Sequence, residues 1–123
     1  MLWRRSTAAL VVSLGLLAGV ASAQQQGNYS WVGYAHPPHP SDSCATYKMT
    51  INITVRDGRA VGLFQQEGRT QRNFDLPLAA DGSFKGDAKV ANGTIAVKGR
   101  ITPAGGEINL DGYCRFGGPL KKT

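Results

Sequence analysis

The amino-acid sequence predicts an all-β domain, a single antiparallel meander of about seven short strands that closes into a small barrel or a sandwich. Three observations predict this class. Apolar and polar side chains alternate along several segments. Turn residues recur roughly every 8–12 positions. Beyond the first 23 residues, no segment carries the period of an amphipathic helix.

The start of the chain predicts a secretory signal peptide over residues 1–23 that is cleaved on export. Arg4 and Arg5 supply the positive start, residues 8–20 the apolar core, and residues 21–23, Ala-Ser-Ala, the cleavage site. The apolar core of about 13 residues is shorter than the roughly 20 that a membrane-spanning helix requires. We therefore expect one mature domain, 24–123, that is periplasmic or secreted and has no membrane span.

The first predicted strand is rich in aromatic residues. Residues 28–35 read NYSWVGYA, and alternation places Tyr29 and Trp31 on one face and Val32 and Tyr34 on the other. Large aromatic side chains dominate small cores, so we expect Trp31 in the core or at the end of a barrel. The alternative is that Trp31, Tyr34 and nearby histidines form a site for a sugar or an apolar ligand.

The next strands follow from a regular alternation and from turn residues. Residues 46–55, TYKMTINITV, alternate throughout between an apolar face and a polar face. The Asp-Gly pair at 57–58 supplies the positive φ angles of a tight hairpin turn, after which 60–66 return. Residues 70–78 are predicted as another strand, which Pro77 ends or places at a sheet edge.

The second half of the chain predicts three more strands, at 83–90, 94–101 and 107–116. The Asp-Gly pair at 81–82 turns the chain into the first of them. The Asn-Gly pair at 92–93 is the strongest hairpin signal in the sequence. Glycine and alanine at several inward positions suit tight curvature or a narrow barrel.

The two cysteines, Cys44 and Cys114, are expected to form a disulfide, because an exported chain meets an oxidising compartment. The bond would join the start of an early strand to the end of the last one and help to close the sheet. The loop of about 70 residues predicts a stabilisation on the order of 4 kcal/mol. Two free thiols or a metal-binding pair are disfavoured, since there is no C-x-x-C spacing.

The segment 34–44, YAHPPHPSDSC, contains both histidines of the chain. In a polyproline II conformation, His36 and His39 lie on the same face about 9 Å apart. With Asp42 as the nearest third ligand, they form a candidate metal site. The alternatives are a stiff strap between the first strand and the disulfide, or a proline-rich docking segment for a partner.

The chain is basic. Its 14 Lys+Arg and 8 Asp+Glu become 12 and 8 after loss of the two signal arginines, a net charge of +4. Such a charge suits a membrane surface or an acidic polymer, although mixed charges are also ordinary for a soluble domain. Nucleic acid is not expected as a partner, because export separates the protein from it. The candidate basic surface consists of Lys98, Arg100, Arg115, Lys121 and Lys122.

That surface also has a structural explanation. Lys98 and Arg100 are expected to face Glu107, Asn109 and Asp111 across a hairpin, where opposite charges contribute a few tenths of a kcal/mol per pair.

Catalysis has little support in the sequence. There is no G-x-S-x-G motif, and no free thiol is expected. Glu107 and Asp111 share a strand face but lie about 13 Å apart, too far for a glycosidase pair. We expect no enzymatic activity and no cofactor.

The layout TVRDGRAVG, DGSFKG, GRIT and LDGYCRFGGPL resembles small exported β-rich proteins of Gram-negative bacteria, a group largely without assigned function. These share a V-x-D-G hairpin, a D-G-x-F-x-G turn and a closing cysteine. The resemblance implies a periplasmic location and a β fold, and it carries no site residues over.

From these patterns we expect an exported protein with a non-catalytic binding or structural role in the cell envelope. Its ligand is not identified by the sequence. Two alternatives remain open. The protein is an interaction protein, such as an inhibitor of an envelope enzyme, or it carries a metal or small ligand on the histidine-rich segment.

Overall fold

The computed structural model describes residues 26–38 and 40–123. The predicted signal peptide lies outside this range. The described residues form one short 3-10 helix, Asp42–Thr46, and nine β-strands, so the all-β prediction is confirmed. The strands are β1 (Gly27–Tyr34), β2 (Lys48–Arg56), β3 (Arg59–Gln66), β4 (Arg72–Pro77), β5 (Ser83–Val90), β6 (Gly93–Thr102), β7 (Gly105–Asp111), β8 (Arg115–Pro119) and β9 (Lys121–Lys122).

The strands form two antiparallel sheets rather than one meander, and these sheets do not close into a barrel. The five-stranded sheet has the order β4-β3-β2-β1-β9, and the four-stranded sheet has the order β5-β6-β7-β8. The chain completes four strands of one sheet, then all of the other, and β9 returns to pair with β1. The prediction of a single meander is therefore wrong. The barrel alternative fails because β4 and β5 share no strand ladder.

The β2–β3 hairpin follows the prediction. Arg56 pairs with Arg59, so Asp57 and Gly58 are the two turn residues. Their φ angles are 53° and 74°. Both are positive, as this tight turn requires.

The Asn-Gly hairpin lies one residue earlier than predicted. Val90 pairs with Gly93, so Ala91 and Asn92 span the turn. Gly93, with φ of 144°, begins β6 instead of ending the turn.

The predicted final strand 107–116 is two strands. β7 ends at Asp111 and β8 begins at Arg115, and these two residues pair across a three-residue bend. Leu110 and Phe116 are both buried. An alternation of period two continues across a bend of this length, because the bend preserves the parity of the inward positions. The pattern therefore does not distinguish this hairpin from one continuous strand.

The core lies between the two sheets and includes three neighbouring phenylalanines, of which Phe74 and Phe84 are stacked. The ring centroids of Phe64 and Phe74 lie 6.3 Å apart, and those of Phe74 and Phe84 lie 6.1 Å apart. Because Phe74 belongs to β4 and Phe84 to β5, this stack spans both sheets. The inward positions of β2 predicted from alternation are confirmed, since all four side chains are buried: Met49, Ile51, Ile53 and Val55.

Two inward glycines make room for these rings. Phe74 is paired with Gly62, and Phe84 with Gly99. A β-carbon on either glycine would run into the facing phenylalanine ring. These glycines therefore accommodate aromatic side chains of the core and do not narrow a barrel.

The disulfide between Cys44 and Cys114 is confirmed, with a Cα–Cα distance of 5.7 Å. Cys44 lies in the 3-10 helix between β1 and β2, and Cys114 lies in the bend between β7 and β8. The bond therefore connects the five-stranded sheet to the four-stranded sheet. Its predicted position, joining the two ends of one sheet, is corrected accordingly.

Replacing both cysteines, Cys44→Ala with Cys114→Ala, should lower the free energy of unfolding by about 4 kcal/mol, because the bond closes a long loop in the unfolded chain. The sequence separation is 70 residues. Urea denaturation measures the loss, and the wild-type protein in a reductant should unfold at the same urea concentration as the double variant. A loss of under about 1 kcal/mol would contradict the chain-entropy account.

Candidate functional site

His36 ties the end of β1 to the edge of the four-stranded sheet. Its backbone N–H donates to the carbonyl of Arg115 at 2.8 Å. Its ring nitrogen Nε2 contacts the carbonyl oxygen of Gly117, which requires that nitrogen to carry the proton. Both carbonyls belong to β8, so the first residues of the proline-rich segment run along this strand. The strap interpretation of this segment stays a prediction.

Trp31 fills the seam between β1 and β8. It is half-buried and packs against the core. Its ring centroid lies 6.2 Å from that of His36. A β-carbon on Gly33 would lie 2.6 Å from Cζ2 of the indole, and one on Gly118 would lie 2.8 Å from Nε1. The indole therefore lies over two glycine backbones.

The structure does not bring the predicted aromatic ligand site together on one face. Trp31 points into the sandwich, whereas Tyr34 lies on the outer side of β1 and is 55% exposed. His39 lies outside the described residues. A joint role of these side chains with His36 stays a prediction.

The candidate metal site also stays a prediction, since His39 belongs to it. Within the described ranges, no group of three or more His, Cys, Asp or Glu side chains is placed to hold a metal ion. Nε2 of His36 is engaged with Gly117, so its Nδ1 is the ring nitrogen left for a metal. Asp42 begins the 3-10 helix and is exposed.

The predicted basic residues divide between the two sheets. Lys98, Arg100 and Arg115 are exposed on the outer side of the four-stranded sheet. Lys121 and Lys122 form β9 at the edge of the other sheet. Nζ of Lys122 lies 5.8 Å from the ring centroid of Tyr29, within the range of a cation–π interaction. The five residues therefore do not form one surface.

The predicted register of the β6–β7 hairpin is confirmed in part. Lys98 is paired with Asn109, and Arg100 with Glu107. Arg100, however, forms its ion pair with Asp81, at 3.1 Å. Hydrogen bonds from Ser83 and, secondarily, the Arg100 guanidinium hold the pKa of the Asp81 carboxyl below its usual value. Asp111 is paired with Ala96 of β6 and with Arg115 of β8, so it is not directly opposite Lys98 or Arg100.

The outer side of the five-stranded sheet has an uncharged centre, which we name the neutral face. Its residues are amides, hydroxyls, apolar side chains and one tyrosine: Asn28, Ser30, Val32, Tyr34, Thr50, Asn52, Thr54, Val61, Leu63, Gln65 and Asn73. Its edges carry charge, including the ion pair of Arg59 with Asp75 at 2.6 Å. The outer side of the other sheet carries eight charged residues: Lys85, Asp87, Lys89, Lys98, Arg100, Glu107, Asp111 and Arg115.

The neutral face collects the large exposed apolar side chains. Of the five in the described part of the chain, four lie on it: Val32, Tyr34, Val61 and Leu63, exposed by 55%, 55%, 39% and 43%. The fifth, Tyr113, lies in the bend between β7 and β8. A depression of about 330 Å³ at one end of the face is lined by Lys48, Thr50, Gln65, Glu67 and Gly68.

Sequence reasoning did not identify this face, although a signal was present. The outward half of the alternation in β2 consists of Thr50, Asn52 and Thr54 between two charged ends. In β3, Val61 and Leu63 occupy outward positions where a solvated strand commonly carries charge. Uncharged residues at the outward positions of two successive strands are the pattern that indicates such a surface.

Comparisons of the chain with protein-family models, with curated proteins and with solved structures find no match. No helix among the described residues is long and apolar enough to span a membrane.

His36→Ala should lower the free energy of unfolding by about 1–2 kcal/mol, because the buried carbonyl of Gly117 loses its donor. His36→Gln retains an N–H donor of similar reach and should restore at least half of the loss. Urea denaturation of the three proteins measures this. If His36→Ala were as stable as the wild type, the contact of His36 with β8 would not contribute to stability.

Proposed function

We propose that this chain is an exported, non-catalytic binding protein of the cell envelope that recognises a protein partner through the neutral face. The observation that carries the proposal is the gathering of four of the five large exposed apolar side chains on this one uncharged surface. The four lie on β1 and β3, on either side of the uncharged outward side chains of β2. Exposed apolar side chains grouped on one face mark interaction sites in soluble proteins. The centres of protein interfaces are depleted in charged residues, as the centre of this face is.

The contrast between the two outer sides supports a specific role for the neutral face. Both sheets present an outer side, and both are built from alternating strands. One carries eight charged residues, whereas the other concentrates its charges at the edges. Alternation alone requires only polar outward residues, so it does not explain why one side lacks charge at its centre.

The size of the face indicates a transient complex. Four neighbouring strands about 4.8 Å apart and about 17–20 Å long give a flat footprint on the order of 300–400 Å². Specific stable complexes bury about 800 Å² of accessible surface on each partner, so this face alone belongs at the low end of the range. Tyr34 and Leu63 are the largest apolar side chains on the face and the expected sites of strongest contact.

The disulfide supports an exported location. Disulfides persist in oxidising compartments and are rare in the cytosol. The two cysteines are paired, and the described part of the chain has no free cysteine. A carrier role for His36, His39 and Asp42 is an alternative without a specific structural observation in its favour.

Leu63→Lys should abolish partner recovery, because it places a charge at the centre of the neutral face. The matched control is Ala96→Lys, which adds the same charge at an exposed position on the outer side of the four-stranded sheet. Each untagged protein is crosslinked in envelope extract of its source cells, and recovered proteins are quantified by mass spectrometry.

At least one protein should be recovered with the wild type and with Ala96→Lys, and be depleted at least tenfold with Leu63→Lys. A tenfold loss corresponds to about 1.4 kcal/mol of binding energy. If all three forms recover the same proteins in the same amounts, the neutral face is not the binding surface.

A further inference from the structure

The outer side of the four-stranded sheet contains a pair of like charges in direct register. Lys85 of β5 and Lys98 of β6 are paired residues, and both are exposed. The two ion pairs within the described ranges are Arg59–Asp75 and Arg100–Asp81, so neither lysine has a carboxylate partner there. Like charges directly opposite each other on neighbouring strands are destabilising.

The row that contains these lysines continues with one side chain that can donate hydrogen bonds, Asn109, and then with a glycine. Asn109 of β7 pairs with Lys98, and Gly117 of β8 pairs with Asn109. Asn109 is exposed, so its carboxamide lies on the same side as the two ammonium groups. Paired residues of an antiparallel sheet have β-carbons about 4.5–5.5 Å apart. At that spacing, both lysine ammonium groups can contact the same small ligand.

Acidic residues limit the size of what this row can bind. Asp87 follows Lys85 by two positions on the same side of β5. Glu107 and Asp111 lie on either side of Asn109 along β7. A densely charged anionic surface would approach all three carboxylates, whereas a single compact anion, including the headgroup of one anionic lipid in a largely neutral bilayer, contacts the Lys85–Lys98–Asn109 row alone. The arrangement therefore favours a small anionic group.

We propose that Lys85, Lys98 and Asn109 form a binding site for one phosphate-class oxyanion, either free or carried by a larger envelope ligand. Two ammonium groups provide charge-assisted hydrogen bonds to its oxygens, and the Asn109 amide provides another. A bound anion would also relieve the repulsion between the lysines. Sequences break local rules of stability chiefly at functional sites, and this pair breaks one. The site lies on the sheet opposite the neutral face and does not depend on the role of that face.

The test measures the melting temperature in tens of millimolar phosphate and in chloride at the same ionic strength. Because phosphate stabilises proteins in general, the informative quantity is the difference between variants in the melting-temperature gain that phosphate causes. In chloride, Lys98→Gln should raise the melting temperature by about 1–4 °C, since it removes the repulsion. On transfer from chloride to phosphate, the melting temperature of Lys98→Gln should rise by at most half as much as that of the wild type.

Lys89→Gln is the matched control. Lys89 lies on the same strand and side as Lys85 but is paired with Thr94 instead of a lysine. This variant should not be stabilised in chloride, and it should keep the full gain in phosphate. Lys85→Gln should behave as Lys98→Gln does, and the double variant should be no more stable in chloride than either single one, because both remove the same repulsion.

The proposal is overturned if Lys98→Gln lowers the melting temperature in chloride, or if it gains as much in phosphate as the wild type. Vesicles of phosphatidylcholine with one quarter phosphatidylglycerol then distinguish the sources of the anion. Co-sedimentation of the wild type and of Lys89→Gln, but not of Lys98→Gln, identifies a lipid headgroup. A phosphate gain that depends on Lys98, without co-sedimentation, identifies free phosphate or a soluble ester.

Discussion

The fold depends on the covalent bond between Cys44 and Cys114, which connects two sheets that share no strand ladder at either seam. Near this bond, His36 hydrogen-bonds to β8, and Trp31 packs over glycine backbones of β1 and β8. The β1–β8 seam is thus held by a disulfide, hydrogen bonds and aromatic packing. The opposite seam, between β4 and β5, is held by the Phe74–Phe84 stack and opens into a groove of about 380 Å³. The sandwich is therefore fastened covalently along one seam and by packing along the other.

Because the inner faces of both sheets are committed to the core, chemical diversity in this domain is confined to its outer sides, edges and loops. The outer sides of the two sheets differ strongly in their side chains. The neutral face presents amides, hydroxyls and exposed apolar side chains, which suits contact with another protein surface. The outer side of the four-stranded sheet presents mixed charges around the Lys85–Lys98 pair, which suits a small anion. The two proposed sites share no residue, so their ligands would not compete for the same side chains.

The sequence determined the elements that depend on local chemistry. Period-two alternation identified the buried side of β2, and the Asp57-Gly58 pair identified the tight β2–β3 turn. Two cysteines in a chain with a predicted signal peptide indicated their pairing. The first two predictions depend on residues close in sequence. The cysteine prediction needed no choice between pairings, because the chain has only two cysteines. The outward positions of Tyr34 and Val32 relative to Trp31 were also fixed by alternation alone.

Only the tertiary structure decided that the run of hairpins divides between β4 and β5 and that β9 returns to pair with β1. Alternation did not separate β7 from β8, because the bend at 112–114 preserves parity. It also did not show that β4 and β5, although consecutive, lie in different sheets with Phe74 packed against Phe84. The candidate surfaces arise in the same way. Val32 and Leu63 share a face only because β2 lies between β1 and β3, and Lys85 faces Lys98 only in the observed register. The physical reason is that alternation specifies the side of a strand on which a residue lies, whereas the register of each hairpin is set by the exact position of its turn, and the division into sheets by packing of whole strands against one another.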